Sequence, residues 1–219
     1  SASSKRLGTC PPTNRLNCKI HKMGKLNADI VVQVRHGDAH ARPWVLLHGT
    51  DGRETDLLSL VHAVAPKATT IAPRGTVKTP GGFAHFRRRP DRTLDECDIR
   101  RRVRPLADAI RESLSENCLD GLPVLVGYSN GAVMSVALLT HAPDSFAAAI
   151  LLRPLTPYRD EAMPPLQGLP ALVLDAANDK RRSSGDGKLQ SELLIQEGAQ
   201  VTRKTLPGGH PLCRDDERA

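Results

Sequence analysis

Gly127-Tyr128-Ser129-Asn130-Gly131 constrains this chain more than any other stretch, because it joins an apolar run to a helical run. Leu122-Pro123-Val124-Leu125-Val126 leads in, dense in β-branched residues, and Ala132-Val133-Met134-Ser135-Val136-Ala137-Leu138-Leu139 leads out as a buried helix. A serine between two glycines at a strand-to-helix junction predicts a turn too tight for flanking side chains, with Ser129 pushed out at the sheet edge. The hydroxyl then sits near the N-terminal end of the next helix, where free N–H groups favour developing negative charge. The bland alternative is a glycine-flanked turn whose serine does nothing. The strand before it and the helix after it favour a nucleophile.

The rest of the chain repeats this alternation. Strands are expected at residues 30–34, 44–47, 69–72, 147–152, 171–174 and 201–205, where β-branched and aliphatic residues cluster. A helix with Leu57, Leu58, Leu60, Val61 and Val64 on one face stops at Pro66, and a long loop runs from Pro73 through Phe86. Thr93-Leu94-Asp95-Glu96 reads as a capping box opening a charged helix, which Pro105 should kink or split. Another helix is expected over 188–195. Strands alternating with helices predict an α/β fold, a mainly parallel central sheet with helices on both faces. With aromatics at 3%, the core must be built from Leu, Val, Ile and Ala.

The 219 residues suit one domain, expected over 29–219, behind a poorly ordered basic tail at 1–28. The formal charge of +7 invites a nucleic-acid reading, but Lys5, Arg6, Arg15, Lys19, Lys22 and Lys25 precede the first acid, Asp29. Without that tail the remainder is close to neutral. The second basic group, Arg87-Arg88-Arg89 with Arg92 and Arg100-Arg101-Arg102-Arg104, is interleaved with Asp91, Asp95, Glu96 and Asp98. That pattern predicts a salt-bridged surface and no nucleic-acid partner. Five cysteines without metal-ligand spacing, and no signal-peptide pattern, predict a reducing cytoplasm and no metal. No apolar run approaches the ~18 residues that span a bilayer.

A serine nucleophile needs a base, and the base needs an acid that fixes its tautomer. After Ser129 the chain holds only His141 and His210. His141 ends the helix that follows the elbow and suits the helix dipole there. His210, in Pro207-Gly208-Gly209-His210-Pro211 after the last strand, is the expected base. Asp179, displayed by the loop after strand 171–174, is preferred as the acid over Asp175, which ends the strand; Asp186 reads as a helix cap. The oxyanion hole is expected from the backbone N–H groups of Asn130 and Thr50. His48, beside Thr50, is expected to order that loop.

On Leu46-Leu47-His48-Gly49-Thr50-Asp51-Gly52, Asp56-Leu57-Leu58, Pro73-Arg74-Gly75, Phe86-Arg87-Arg88, the elbow, Leu152-Arg153-Pro154-Leu155 and Gly208-Gly209-His210, the chain resembles an α/β-hydrolase of the phospholipase/carboxylesterase family of small bacterial serine esterases. These motifs span residues 30–216. The resemblance implies hydrolysis of a small-molecule carboxylic ester through an acyl-enzyme, without cofactor or metal. It also implies that residues 83–89 and 155–165 border the substrate pocket, with Phe86, Arg87 and Leu155 as candidates. Asp51 and Ala176 stand where such a family carries glycine, and the chain stops at Ala219, where a further helix normally covers the sheet. Acyl-thioesterase or lysophospholipase activity would use the same residues. A non-catalytic binding protein on this fold would lack a triad member. Dienelactone hydrolysis is disfavoured, because that relative uses a cysteine nucleophile.

Overall fold

The computed structural model describes residues 19–22 and 30–219, with side chains from residue 30 onward. Ten strands are seen among the described residues. β1 (Lys19–Lys22), β2 (Val31–Arg35), β3 (Trp44–Leu47), β4 (Thr70–Pro73), β7 (Val124–Tyr128), β8 (Ala148–Leu152), β9 (Pro170–Ala176) and β10 (Gln200–Leu206) form one eight-stranded sheet in the order β1-β2-β4-β3-β7-β8-β9-β10. β5 (Val77–Lys78) and β6 (Phe83–Ala84) make a small hairpin inside the long loop after β4. From β4 to β10 every pairing is parallel, and β2 runs antiparallel to β4 and to β1. The α/β fold with a mainly parallel sheet is thus present.

The helices cover both faces because side chains alternate along each strand. Val45, Leu47, Leu125, Leu151 and Val173 point to one face, where α2 (Glu96–Glu116) and α3 (Asn130–His141) pack. Leu46, Val124, Val126, Leu152 and Leu174 point to the other, against Leu57, Leu60 and Val61 at α1 (Leu58–Val64). The C-terminal α5 (Arg214–Arg218) lies on that second side, in contact with α1, and α4 (Asp186–Gln196) packs on β9 and β10. α3 is buried along nearly its whole length, as its run of apolar residues requires. β10 closes the sheet with charged, exposed residues such as Arg203 and Lys204, which blunt an open edge.

Local expectations needed correcting in four places. α2 starts at Glu96, and its N-cap is Asp95, whose carboxylate accepts the Asp98 N–H at 3.1 Å. Thr93 is unavailable for that role because Asp91 captures both its N–H at 3.0 Å and its hydroxyl at 2.6 Å in a local turn. Of the kink or split expected at Pro105, the split does not occur: the proline lies inside one continuous helix. Ile99 and Val103 before it, and Leu106 and Ala109 after it, are all buried in the same core, and that packing outweighs the lost hydrogen bond. Asp186 is the first residue of α4, not its cap, although its carboxylate still accepts the Ser183 N–H at 2.7 Å. Val64, expected on the apolar face of α1, is 44% exposed at the helix end.

β1 falls within the stretch read as a tail; residues 1–18 and 23–29 lie outside the described residues. No helix among the described residues is long and apolar enough to cross a membrane. Four of the five α2 arginines are ion-paired among the described residues: Arg100 with Glu96 and Glu161, Arg101 and Arg102 with Asp98, and Arg111 with Asp108.

Candidate active site

The sheet changes direction at β3 and β7. From β3 the chain crosses to β4 on one side, and from β7 to β8 on the other, which opens a crevice at the carboxyl ends of this pair. Ser129 stands at that crevice between β7 and α3, with φ 54° and ψ −105°. Positive φ is costly for a residue with a side chain, on the order of 1–3 kcal/mol. Two hydrogen bonds hold it: the Ser129 N–H donates to the Leu152 carbonyl at 2.9 Å, and its own carbonyl accepts the Val133 N–H at 3.1 Å. The flanking glycines are a steric requirement. A Cβ at Gly127 would meet the Gly131 carbonyl at 2.6 Å, and one at Gly131 would meet the Leu47 carbonyl and, at 2.6 Å, that of His48.

His210 reaches Ser129 from the loop after β10. Its Nε2 lies 2.8 Å from Ser129 Oγ, and its Nδ1 lies 2.7 Å from Asp179 Oδ2. The carboxylate accepts from Nδ1–H, which leaves Nε2 to accept the serine hydroxyl. Asp179 is placed by stitching between two loops: the Ala177 N–H donates to the Leu206 carbonyl at 2.9 Å and the Asn178 N–H to the Gly208 carbonyl at 2.8 Å. Its second oxygen accepts the Arg181 N–H at 2.8 Å. Asp175 points elsewhere, paired with Arg203 Nε of the neighbouring strand at 2.6 Å. Burial lowers the pKa of His210 below its ordinary 6.5, against the pull of Asp179 and helped by Arg182 and Arg181. The imidazole is therefore neutral at neutral pH, ready to take a proton.

The other expected residues are arranged around this line. A Cβ on Gly49 would come 3.6 Å from Ser129 Cβ, so the loop carrying Thr50 lies beside the serine. The N–H groups of Thr50 and Asn130 carry no hydrogen bond among the described residues. The Asn130 side chain does different work: Oδ1 accepts the His85 N–H at 2.8 Å and Nδ2 donates to the Phe86 carbonyl at 3.3 Å, tying residues 83–89 to the elbow. His48 orders its loop as expected. Its Nδ1 donates to the Gly49 carbonyl at 2.7 Å, and its Nε2 accepts the Gly75 N–H at 2.9 Å.

Asp51 has φ 62°, which explains the expected glycine, and its carboxylate accepts the Gly81 N–H at 3.2 Å. Ala176 simply ends β9. Phe86 is 1% exposed and packs in the core under α2. Arg87 is exposed, with its N–H donating to Asp98 at 2.8 Å, and Leu155 is half-buried against the same core. Residues 156–163 face α4 across a groove of about 540 Å³. Among the described residues no cluster of three or more His, Cys, Asp or Glu side chains is placed to hold a metal.

No family model matches the chain. A crystal structure of the Bacillus cereus carboxylesterase superposes with a TM-score of 0.82 at 32% identity, over 88% of this chain and 92% of that one. The Bacillus subtilis (strain 168) protein "Putative hydrolase MhqD" is 34% identical over 173 residues, 78% of this chain and 86% of the relative. The chain belongs to the α/β-hydrolase carboxylesterases. A carboxylesterase from Mesorhizobium loti superposes equally well, with a TM-score of 0.82 at 26% identity over 92% of this chain and 95% of the other.

In this carboxylesterase-family hydrolase three residues at the crevice escaped the sequence reading. Tyr128, the residue before the serine, donates its phenol O–H to the His210 carbonyl at 3.0 Å and so fixes the loop carrying the imidazole. Arg153, at φ 54°, is buried and doubly bonded to Asp216 of α5. Arg182 donates from Nη2 to Ser129 Oγ at 3.3 Å. The one available signal was the basic run Lys180-Arg181-Arg182 directly after Asp179. The run alone does not say which cation turns inward.

Proposed function

We propose that the chain is a serine carboxylesterase that hydrolyses small or medium acyl esters through an acyl-enzyme. The observation that best supports this is the unbroken line of short hydrogen bonds from Asp179 through His210 to Ser129 Oγ. Ser129 Oγ attacks the ester carbonyl carbon while its proton passes to His210 Nε2, and the carbonyl π pair moves onto oxygen. The N–H groups of Asn130 and Thr50 receive that oxyanion; losing one such donor costs about 2.7–4 kcal/mol of barrier. Collapse re-forms the carbonyl and breaks the bond to the alkoxy group, which leaves as the alcohol with the proton from Nε2. Water then attacks the acyl-serine by the same proton route and releases the carboxylic acid. Asp179 holds the Nδ1–H tautomer throughout and stabilises the transient imidazolium.

A Ser129→Ala variant assayed on a short-chain 4-nitrophenyl ester tests this reading. Turnover should fall on the order of 10⁴-fold or more, in line with losses at other serine nucleophiles. Mass spectrometry of the unaltered protein, quenched during turnover, should find the acyl group on the peptide carrying Ser129. Undiminished turnover in the variant sinks the assignment.

A further inference from the structure

Arg182 leaves the turn after β9, half-buried, with its guanidinium clamped at the crevice. Nε donates to the Arg153 carbonyl at 2.9 Å, Nη1 to the Arg181 carbonyl at 3.1 Å and Nη2 to Ser129 Oγ at 3.3 Å. A guanidinium has five N–H donors, so one on each Nη has no partner among the described residues. All three acceptors are neutral, and no carboxylate forms an ion pair with Arg182 among the described residues.

The acids within electrostatic reach of Arg182 are Asp179 and Asp186. Asp179 is occupied by His210 and the Arg181 N–H, and Asp186 by the Ser183 N–H. Tyr128 faces the group as a neutral phenol. Arg153 is neutralised by Asp216. Arg88 supplies a second half-buried cation, with its Nη1 bonded to the Arg92 carbonyl at 2.7 Å and no ion pair of its own among the described residues. Burial, then Arg88, lower the pKa of Arg182 to about 10, so it keeps its charge at neutral pH. The crevice thus carries a fixed, partly desolvated positive charge that Asp179 and Asp186 offset only at a distance and that no carboxylate pairs with among the described residues.

We propose that Arg182 makes this a site for anionic esters, monoesters of short dicarboxylic acids, with the free carboxylate on the acyl side of the scissile bond. This rests on Ser129 being the nucleophile. Attack puts the carbonyl carbon on Oγ, with three substituents to distribute. The oxygen goes toward the Asn130 and Thr50 N–H groups, and the leaving alcohol toward His210 Nε2. The acyl chain takes the remaining direction, and the two unpartnered Nη hydrogens of Arg182 are free to bind a carboxylate there as a fork. Such a pair offsets the burial of both charges, whereas a neutral acyl chain leaves the guanidinium unpaired.

The test compares kcat/KM for ethyl hydrogen succinate with that for ethyl succinamate, which has the same shape without the charge. The unaltered protein should favour the anionic ester on the order of ten-fold or more, the scale of a charged hydrogen bond. In Arg182→Gln the preference should collapse toward unity, chiefly through KM. Raising the ionic strength should erode it in the unaltered protein, which gives a readout that needs no variant. Equal rates on the two esters in the unaltered protein, or a preference that survives in Arg182→Gln, overturn the proposal. So does an equal loss on both esters in that variant, the mark of a purely structural arginine. The Ser129→Ala assay on a neutral 4-nitrophenyl ester separately tests the serine reading, so the two failures are told apart.

Discussion

Two arginines meet at the carboxyl end of the sheet and are treated in opposite ways. Arg153 is 1% exposed and its charge is answered: both Nη groups bond to Asp216, whose second oxygen also accepts the Cys213 N–H at 2.8 Å, and Nε has no hydrogen-bond partner among the described residues. Arg182 rests on the Arg153 carbonyl, yet its charge forms no ion pair among the described residues and one of its donors rests on Ser129. The first arrangement clasps α5 to the loop after β8. The second is a charge held in position at a crevice. A buried charge with its partner marks a joint of the fold, and one without marks a place where a ligand belongs.

The sharpest way to break this contrast is to remove the partner at the joint. Asp216→Ala leaves the Arg153 guanidinium buried and unpaired, and should cost about 3–5 kcal/mol. For a domain of this size that is a fall in Tm of roughly 10 °C, measurable by thermal melting, with α5 as the first segment to lose amide protection in hydrogen exchange. A Tm unchanged by Asp216→Ala would mean that the clasp does not carry the joint.

Tyr128→Phe separates the two regions more finely, because its hydroxyl belongs to the crevice and touches the frame only through the His210 carbonyl. Losing that hydrogen bond is worth about 1 kcal/mol. The loss should appear in kcat more than in KM, with Tm almost unmoved, because the bond places the imidazole and not the substrate. A loss confined to Tm would reassign the phenol to the frame.

What the sequence made legible follows the same division. The β3, β7 and α3 segments were readable because period-2 and continuous apolar runs leave few other ways to bury them. The elbow was readable because Gly127 and Gly131 are sterically required, and Ser129, Asp179 and His210 follow one another in the order expected of such a turn. The start of α2 was misplaced because two acids compete: Asp91 takes the Thr93 hydroxyl before it can cap the helix. The continuity of α2 through Pro105 depends on packing across the sheet, which no local signal carries. Arg182 was invisible for a related reason. In Lys180-Arg181-Arg182 the inward residue is chosen by the turn after Asp179 and by a carbonyl on β8's far loop, both of which are tertiary.

Replacing Arg182 should do to stability the reverse of breaking the clasp. Arg182→Met removes a half-buried charge that has no ion pair among the described residues and keeps the aliphatic stem against its neighbours. Tm should hold or rise slightly, the usual pattern when a binding group is traded for an apolar one. A fall comparable with that of Asp216→Ala would place Arg182 among the structural arginines and erase the contrast.

The smallest expected effect is on the acid limb of the pH–rate profile. Hydrolysis by the proposed route needs His210 neutral, so activity falls as pH drops through its pKa. Burial puts that pKa below 6.5, Asp179 opposes the shift, and the positive charges of Arg182 and Arg181 reinforce it. The acid limb should therefore lie below pH 6.5 in the unaltered protein. Taking away the Arg182 charge makes the imidazolium easier to form, which raises the His210 pKa and moves the limb upward, so Arg182→Met loses activity at a higher pH. Arg153→Met, assayed where the variant remains folded with Asp216→Leu in the same chain, removes a positive charge together with its compensating negative one and should leave the limb in place. Both profiles are read as kcat/KM on a neutral ester, whose own charge does not titrate. A limb that moves equally in the two variants would mean that His210 senses the general field of the crevice and not the unpaired charge beside Ser129.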